Sequence, residues 1–310
     1  MPAIDKIDEV SRATTSTGTF EIHSAGAHLS RWDSVTYGPL IFSPCAADYG
    51  VGRSPHGGVP ICFPWFGVPT HADPDDHDGH TSDHPPFLGQ SGATEKHGFV
   101  RFLNWHLIEN ETDERGIWRV AYRITDQDVP EAMVEVLEPF TAELQATLGD
   151  ATASLSLTVT NTGSEPFYFE EALHTYFRVG DIEDVEVQGF EGLVHVDTTL
   201  GGSQTDRLAV QRGPIMFGEE VDRIYPTENS PRILDYKLGR QIEIENENSG
   251  TTVVWNPGPE FGEQLPDLSE GEWRQYVCVE TANARDAAIH LGPGESYTMT
   301  ANYTVTELLS

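Results

Sequence analysis

Apolar and polar residues alternate with a period of two along much of this chain. The segment SLSLTVTN (154–161) sets two leucines and a valine against serines and threonines, and GIWRVAYRIT (116–125) alternates in the same way. Successive side chains of a β-strand point to opposite faces, so this pattern is typical of strands buried on one face. Similar patterns predict strands in YVCVE (276–280) and on both sides of a Gly-Pro-Gly turn in 287–305.

Turn residues separate these strands, and helical patterns are nearly absent. The segment IEIENENSGTTVVW (242–255) predicts a hairpin around the Asn-Ser-Gly at 248–250. The nearest candidate for a helix is PEAMVEVL (130–137), and there is no repeat at a solenoid period. We therefore predict an all-β fold, one large antiparallel β-sandwich, as a single domain over 1–310.

Composition excludes several other classes of protein. A chain of 310 residues can bury a large core, and no apolar run approaches the roughly 20 residues of a membrane span. Residues 1–20 lack a basic segment followed by an apolar one, so we expect no signal peptide and a cytoplasmic protein. Three cysteines without metal-site spacing indicate reduced thiols. We expect a monomer.

The charge balance makes any local group of cations informative. The chain carries 50 acidic residues against 18 lysines and arginines, a formal net charge of -32, and its only lysines are Lys6, Lys96 and Lys237. Such a field repels nucleic acid and acidic membrane surfaces, so we expect neither as a partner. An anionic ligand would need cations supplied by its own site.

One segment, 70–96, is rich in Asp, His, Gly and Pro and is predicted to be a long loop. Its histidines and aspartates could bind a divalent metal, but they do not recur at the spacing of a helical or hairpin ligand set, so we predict a solvated loop and no metal site. The candidate ligands are His71, His77, His80, His84, Asp73, Asp75, Asp76 and Asp78. Long loops in compact domains are often functional, and we predict that 70–95 lies over or beside the functional cleft.

Two distant strands each place one titratable side chain among aromatic residues. In FYFEEALHTYFRV (167–179), alternation puts His174 on one face with Tyr176 and Arg178, and in WRQYVCVE (273–280) it puts Glu280 with Tyr276 and Cys278. A His and a Glu can act as an acid/base pair. A core histidine and a solvated glutamate are the structural alternatives.

The adjacent acids Glu170 and Glu171 point to opposite faces of this strand. A retaining glycosidase needs two carboxyl groups about 5 Å apart. We therefore do not expect these two residues to form such a pair.

Two further segments are candidates for a site. SPHGGVPICFPWFG (54–67) contains prolines that confine it to a sheet edge or a bend. It is either a buried aromatic arch or a site floor, in which Gly57 and Gly58 allow close approach of a ligand and Trp65 or Phe66 faces a sugar ring. EKHGFVRFLNW (95–105) concentrates three basic or imidazole side chains in a chain poor in bases, which predicts anion binding. They are Lys96, His97 and Arg101.

Six motifs together resemble a known family. In chain order they are GGVPICFPWFG, HGFVRFLNW, EEALHTYFRVGDI, GEEVDRIY, VVWNPG and VCVETAN, and the resemblance runs from about residue 20 to 305. This arrangement resembles the hexose-6-phosphate mutarotases, also called glucose-6-phosphate 1-epimerases, of the galactose-mutarotase-like superfamily. The resemblance implies a large antiparallel supersandwich with the sugar in a cleft.

The resemblance also implies roles for individual residues. His174 would be the general acid toward the ring oxygen and Glu280 the general base on the anomeric hydroxyl, so that α and β anomers interconvert through ring opening without a metal or organic cofactor. His97 would contact the sugar and Asp222, in EEVDRIY, would bind its hydroxyls. Structural alternatives are a pair of Asp222 with Arg223 and a turn capped by His97.

This chain departs from the family at the phosphate site. Family members usually have Arg where this chain has His56, before the two glycines, and Gln where it has Lys96, whereas Arg101 is kept. We expect a small sugar phosphate as partner, with Lys96 replacing the missing arginine. The alternatives are an aldose 1-epimerase for a non-phosphorylated or otherwise modified sugar, and a non-catalytic carbohydrate-binding protein.

Overall fold

The computed structural model describes residues 9–67, 96–130, 138–201 and 207–308, and within them two eight-stranded antiparallel sheets form the body. The first, here called the outer sheet, contains the long alternating strands. In spatial order they are β13 (Val185–Gln188), β17 (Arg232–Asp235), β18 (Arg240–Glu247), β22 (Ser296–Glu307), β9 (Thr152–Asn161), β8 (Phe140–Leu148), β7 (Trp118–Thr125) and β6 (His106–Thr112).

The second sheet, here called the cleft sheet, has shorter strands. In order they are β15 (Leu208–Val210), β14 (Val194–Asp197), β16 (Val221–Tyr225), β19 (Thr251–Asn256), β20 (Tyr276–Asn283), β11 (Glu171–Leu173) and β5 (Ile61–Cys62), and β12 (Tyr176–Arg178) also pairs with β20. The position of β5 at the edge agrees with the prolines around it.

Smaller elements complete the described fold. A four-stranded sheet contains β1 (Val10–Thr14), β2 (Gly18–His23), β3 (His28–Ser34) and β4 (Gly38–Pro39), and a two-stranded one contains β10 (Phe167–Phe169) and β21 (Ile289–Leu291). One short α-helix, α1, spans Gly258–Gly262. Single 3-10 turns span Val100–Phe102, Asp126–Asp128, Ile182–Asp184, Glu272–Gln275 and Arg285–Ala287.

The core lies between the two large sheets. From β9, Leu155, Leu157 and Val159 are fully buried, and from β20, Val277 and Val279 join the same apolar cluster. The strand pattern that predicted one buried face is therefore confirmed for these segments. Buried hydroxyls also join the layers, since Thr175 Oγ1 and Tyr303 Oη lie 2.9 Å apart.

The predicted hairpin at 242–255 is wrong. β18 pairs with β17 and β22 in the outer sheet, whereas β19 pairs with β16 and β20 in the cleft sheet, so 248–250 is a corner between layers. Asn248 takes a left-handed conformation, φ 55°. The Asn283 amide fixes the corner, because Nδ2 donates to the Asn248 carbonyl and Oδ1 accepts from Gly250 N, both at 2.9 Å.

The glycines at 57 and 58 approach the protein itself. A Cβ at Gly58 would lie 2.3 Å from His28 Nε2, and one at Gly57 would lie 2.4 Å from Pro44 Cδ. The prediction that these glycines admit a ligand is therefore wrong, since both are needed for packing of the chain against itself.

Several expectations remain predictions. The loop 70–95 with its candidate metal ligands, and all of the possible helix at 130–137 except Pro130, lie outside the described residues, and the single-domain organisation is likewise untested.

Cys45, Cys62 and Cys278 are free. In the part of the chain that the structure describes, no helix is long and apolar enough to cross a membrane.

Candidate active site

A cleft of about 700 Å³ lies on the face of the cleft sheet that points away from the core. Neighbouring strands supply its floor: β16 contributes Asp222 and Ile224, β19 contributes Val253 and Trp255, and β20 contributes Glu280. Polar and aromatic side chains therefore converge on one concavity, which is typical of a small-molecule site.

His174 and Glu280 meet at the centre of this cleft. His174 Nε2 lies 3.3 Å from Glu280 Oε1, and both side chains are buried. The strand containing 167–179 breaks at His174, between β11 and β12, and both pieces pair with β20. The break leaves His174 opposite Glu280, as alternation on the two strands predicts.

Packing and backbone contacts hold the His174 ring in place. Its ring stacks on Tyr176 at 4.9 Å and meets Trp255 edge-on at 6.1 Å, and its backbone N donates to the Pro60 carbonyl. Among the described residues, Nδ1 of His174 and Oε2 of Glu280 have no hydrogen-bond partner. Both groups therefore have free capacity for a ligand.

Burial moves the pKa values of the two groups in opposite directions. The pKa of His174 is held well below 6.5, first by burial and then by the neighbouring His97 and Arg101. The pKa of Glu280 is raised well above 4.5 by burial and then by the carboxylate of Asp222. Burial therefore favours the uncharged forms of both side chains, in which the proton of the pair lies on Glu280.

His97 lies beside the pair and also fixes a turn. Its ring centroid is 5.6 Å from that of His174, its backbone N donates to the Gly67 carbonyl, and its Nδ1 accepts from Gly67 N. Burial, followed by Arg101 and Lys96, lowers the pKa of His97 to about 3. The ring is therefore neutral, and it both caps a turn and faces the cleft.

Asp222 faces the cleft and does not pair with its neighbour. Arg223 instead contacts Asp197 at 3.6 Å, on the other side of β16. Burial raises the pKa of Asp222 although the Thr198 hydroxyl lowers it. Asp222 is thus a carboxyl group at the cleft surface, available to sugar hydroxyls.

The predicted anion-binding residues also line the cleft. His56 Nδ1 lies 2.8 Å from Asp267 Oδ1, and its backbone N donates to the same carboxylate. Burial alone would raise the pKa of Asp267, but the contacts with His56 lower it. Arg101 donates to the Lys96 carbonyl at 2.6 Å, so these two residues are held together. The Asp267 carboxylate therefore lies directly beside the His56 ring.

The structure thus brings all seven predicted site residues to one cleft, and their roles remain predictions. The seven are His56, Lys96, His97, Arg101, His174, Asp222 and Glu280. In the described ranges, no group of three or more His, Cys, Asp or Glu residues is placed to hold a metal ion.

Sequence reasoning missed several cleft residues. Glu170 lines the cleft and accepts from Phe66 N and Arg285 N, so it ties together two walls of the cleft. Arg285 follows the VCVETAN motif closely, and the scarcity of bases could have singled it out. Arg207 lies in no motif, and only the folded chain reveals it. The remaining missed residues include Ser54, Thr198, Glu220, Trp255 and Phe261.

Comparisons with known proteins also indicate an enzyme that acts on sugars. The aldose 1-epimerase family model matches residues 75–304. A protein of Cenchrus ciliaris named "Putative glucose-6-phosphate 1-epimerase" is 29% identical over an alignment of 285 residues, which covers 89% of this chain and 78% of that relative. A protein of the same name from Salmonella typhimurium is 28% identical over 262 residues, 84% of this chain and 78% of its own length.

The fold is shared with a solved structure. A crystal structure from Salmonella typhimurium, titled "putative mutarotase", matches with a TM-score of 0.79 at 24% identity, covering 99% of this chain and 96% of its own. This likeness confirms the predicted all-β, galactose mutarotase-like architecture. The match of the family model over most of the sequence shows that this chain belongs to the aldose 1-epimerase family and is an epimerase, an enzyme of the isomerase class.

Proposed function

We propose that this protein interconverts the α and β anomers of a hexose 6-phosphate, with His174 and Glu280 as its acid/base pair. The observation that carries the proposal is the contact of 3.3 Å between His174 Nε2 and Glu280 Oε1 inside the cleft. The names of the curated relatives support glucose 6-phosphate as the substrate.

The reaction needs only proton transfer between positioned groups. Glu280 takes the proton of the anomeric hydroxyl while His174 gives one to the ring oxygen, and the bond between the anomeric carbon and the ring oxygen breaks. The C1–C2 bond then rotates, and ring closure on the other face reverses the two transfers. No atom or electron is gained or lost.

The shifted pKa values suit this exchange. Before ring opening the proton of the pair lies on His174, and afterwards it lies on Glu280. Because burial lowers the pKa of the first and raises that of the second, it stabilises the second state relative to the first. A pair with ordinary pKa values would strongly favour the first state.

The phosphate would bind at His56, Lys96 and Arg101. All three line the cleft, and each lowers the pKa of the buried His97 ring. Arg101 can form paired hydrogen bonds with phosphate oxygens, and Lys96 supplies a second positive charge. Asp267 beside His56 favours a second candidate, an aldose 1-epimerase for non-phosphorylated sugar, because it weakens the field at this position.

Exchange NMR between the anomers of glucose 6-phosphate and of free glucose separates these candidates. We expect faster exchange of the phosphorylated sugar, and we expect Lys96→Gln to reduce this preference about tenfold, as for the loss of one charge-assisted contact. Lys237→Gln, on a lysine paired with Asp181 outside the cleft, is the control. Equal turnover of both sugars by the unmodified enzyme would exclude phosphate specificity, and binding without exchange would exclude catalysis.

A further inference from the structure

The cleft gathers cations in a chain that has few of them. Of the 18 lysines and arginines, four line the described part of the cleft, whereas only four of the 50 acidic residues do. The four bases are Lys96, Arg101, Arg207 and Arg285. Local enrichment of this kind attracts anions against the net charge of the whole molecule.

Arg207 and Arg285 have guanidinium donors that the described part of the protein does not use. Elsewhere arginines reach carboxylates, as in Arg123–Glu143 at 2.9 Å and Arg274–Asp181 at 2.8 Å. Among the described residues, neither Arg207 nor Arg285 has a side-chain hydrogen bond or an ion pair, and Nε of Arg207 is buried without a partner. A guanidinium group carries five N–H donors and no acceptor. A ligand that pairs with both guanidinium groups must therefore be rich in hydrogen-bond acceptors.

Within the described ranges, the salt bridges include no ion pair between an acidic side chain and either arginine. Both carboxylate oxygens of Glu170 accept backbone N–H groups, from Phe66 and from Arg285 itself. Burial lowers the pKa of the Arg285 guanidinium and Arg207 lowers it further, although Glu170 and Asp222 raise it. Arg207 and Arg285 therefore repel each other, and an anion bound between them would relieve this repulsion.

The backbone directs Arg285 into the cleft. Arg285 has φ 59°, in the left-handed region that residues with a Cβ rarely adopt, and it begins the turn Arg285–Ala287. The hydrogen bond from its N–H to Glu170 holds this conformation. Strained backbone that is held by its surroundings is concentrated at functional sites.

Arg285 and His56 lie on opposite sides of Glu280 along β20. Trp255 pairs with Cys278, two residues before Glu280, and the His56 ring centroid lies 6.3 Å from that of Trp255. Arg285 instead follows the other end of β20, which is Asn283. Along β20, the acid/base pair therefore lies between His56 and Arg285.

We propose that Arg207 and Arg285 form a second oxyanion subsite, so that the cleft accepts a ketohexose 1,6-bisphosphate. This inference rests on the proposed function of the same site. A ketohexose has its anomeric carbon at C2, between a phosphate on C1 and the ring, with the second phosphate on C6. Paired guanidinium groups suit the C1 phosphate because they can each donate two parallel hydrogen bonds.

The chemistry is the same as for an aldose. Glu280 takes the proton of the C2 hydroxyl, the bond between C2 and the ring oxygen breaks, and His174 protonates that oxygen. Rotation about C2–C3 and the reverse transfers close the ring with the opposite configuration. Both phosphates stay attached, and no further reactant is needed.

The test compares two substrates that differ by one phosphate. Exchange NMR would measure anomer exchange of fructose 1,6-bisphosphate and fructose 6-phosphate above the uncatalysed rate, with glucose 6-phosphate alongside. We expect kcat/KM to favour the bisphosphate about tenfold or more. Arg207→Gln and Arg285→Gln should each reduce this ratio about tenfold, whereas Arg212→Gln, on an exposed arginine outside the cleft, should leave it unchanged.

Each other outcome has a definite meaning. Exchange of glucose 6-phosphate without exchange of the bisphosphate would overturn the second subsite and leave the proposed function intact. An equal loss of kcat/KM on both fructose phosphates in the arginine variants would also overturn it, because the arginines would then contact groups that both sugars share. If no sugar exchanges, the proposed function fails. Calorimetric binding of fructose 1,6-bisphosphate to the unmodified protein and to Arg285→Gln then decides the subsite alone, and equal affinity would reject it.

Discussion

The outer sheet and the cleft sheet use the same backbone arrangement for different purposes. In the outer sheet, β9 alternates between buried residues and residues that are exposed or half-buried. Its buried side chains are all apolar except Asn161. In the cleft sheet, β20 is buried at all eight positions, and these include Glu280, Thr281 and Asn283. A strand that is covered on both faces can place polar groups away from water, where their pKa values shift and their hydrogen bonds strengthen.

The difference in strand length has a related cause. The strands β5, β11 and β12 have only two or three residues each, because the chain bends to bring Pro60, Glu170 and His174 toward the cleft. Long regular strands bury apolar area efficiently, but each aims its side chains along only two directions. Breaks in the cleft sheet orient side chains in other directions, so we expect substitutions there to affect activity and substitutions in the outer sheet to affect stability.

The largest effect should come from Glu280→Gln in the cleft sheet. Gln keeps the shape of the side chain but cannot take a proton, so we expect kcat to fall about 10²–10⁴-fold. The melting temperature should be unchanged or higher, because a buried carboxyl group is replaced by a neutral amide. Exchange NMR and thermal unfolding measure the two quantities.

His106→Asn, on an exposed histidine of β6, is the matched control and should leave both quantities near their original values. Retention of more than a tenth of the exchange rate in Glu280→Gln would exclude Glu280 as the base.

The opposite result, a loss of stability with little change in kcat, should come from Leu157→Ala in the outer sheet. Leu157 is fully buried between β8 and β22, and removal of its branched end leaves a cavity in the core. We expect a loss of about 2–5 kcal/mol in the free energy of unfolding, with kcat of the folded enzyme within a factor of two. Urea unfolding and exchange NMR test this.

Ser156→Ala, on the other face of the same strand, should cost only about 0.5 kcal/mol. If Leu157→Ala lowered kcat as strongly as it lowers stability, the division between the two sheets would be incorrect.

The two sheets also differ in how much of them could be predicted. Alternation alone predicts β7 and β9 and places His174 and Glu280 on faces that point away from the core. It could not separate β18 from β19, because Asn-Ser-Gly suits a hairpin and an interlayer corner equally. The deciding contacts come from Asn283, more than thirty residues further along the chain.

The arginines of the cleft show a second limit of sequence reasoning. Arg207 and Arg285 follow no periodic pattern, and their proximity depends on how β14–β16 and the end of β20 pack. The position of Glu170 in the cleft could not be predicted either. The backbone N–H groups of Phe66 and Arg285 hold its carboxylate there, and only the fold brings these two groups together.

The smallest effect should come from Glu171→Gln, which tests whether burial of polar groups in the cleft sheet lowers stability. Glu171 is fully buried, its Oε1 accepts from Asn283 at 3.0 Å, and burial raises its pKa to about 8. The unfolded chain ionises this group near 4.5, so the folded state binds more protons between these values. Stability therefore falls as pH rises from about 4.5 to 8.

Glu171→Gln cannot ionise, so its loss of stability between pH 5 and pH 8 should be smaller than that of the unmodified protein by about 1–3 kcal/mol. Urea unfolding at both pH values measures this difference, and Glu245→Gln, on an exposed residue of β18, is the control. The amide that this substitution introduces has donors without acceptors, so the variant can be less stable at pH 5, but that loss is the same at pH 8 and cancels in the comparison. Equal pH dependence in both proteins would mean that Glu171 is ionised in the folded state and that the cleft sheet accommodates a buried charge.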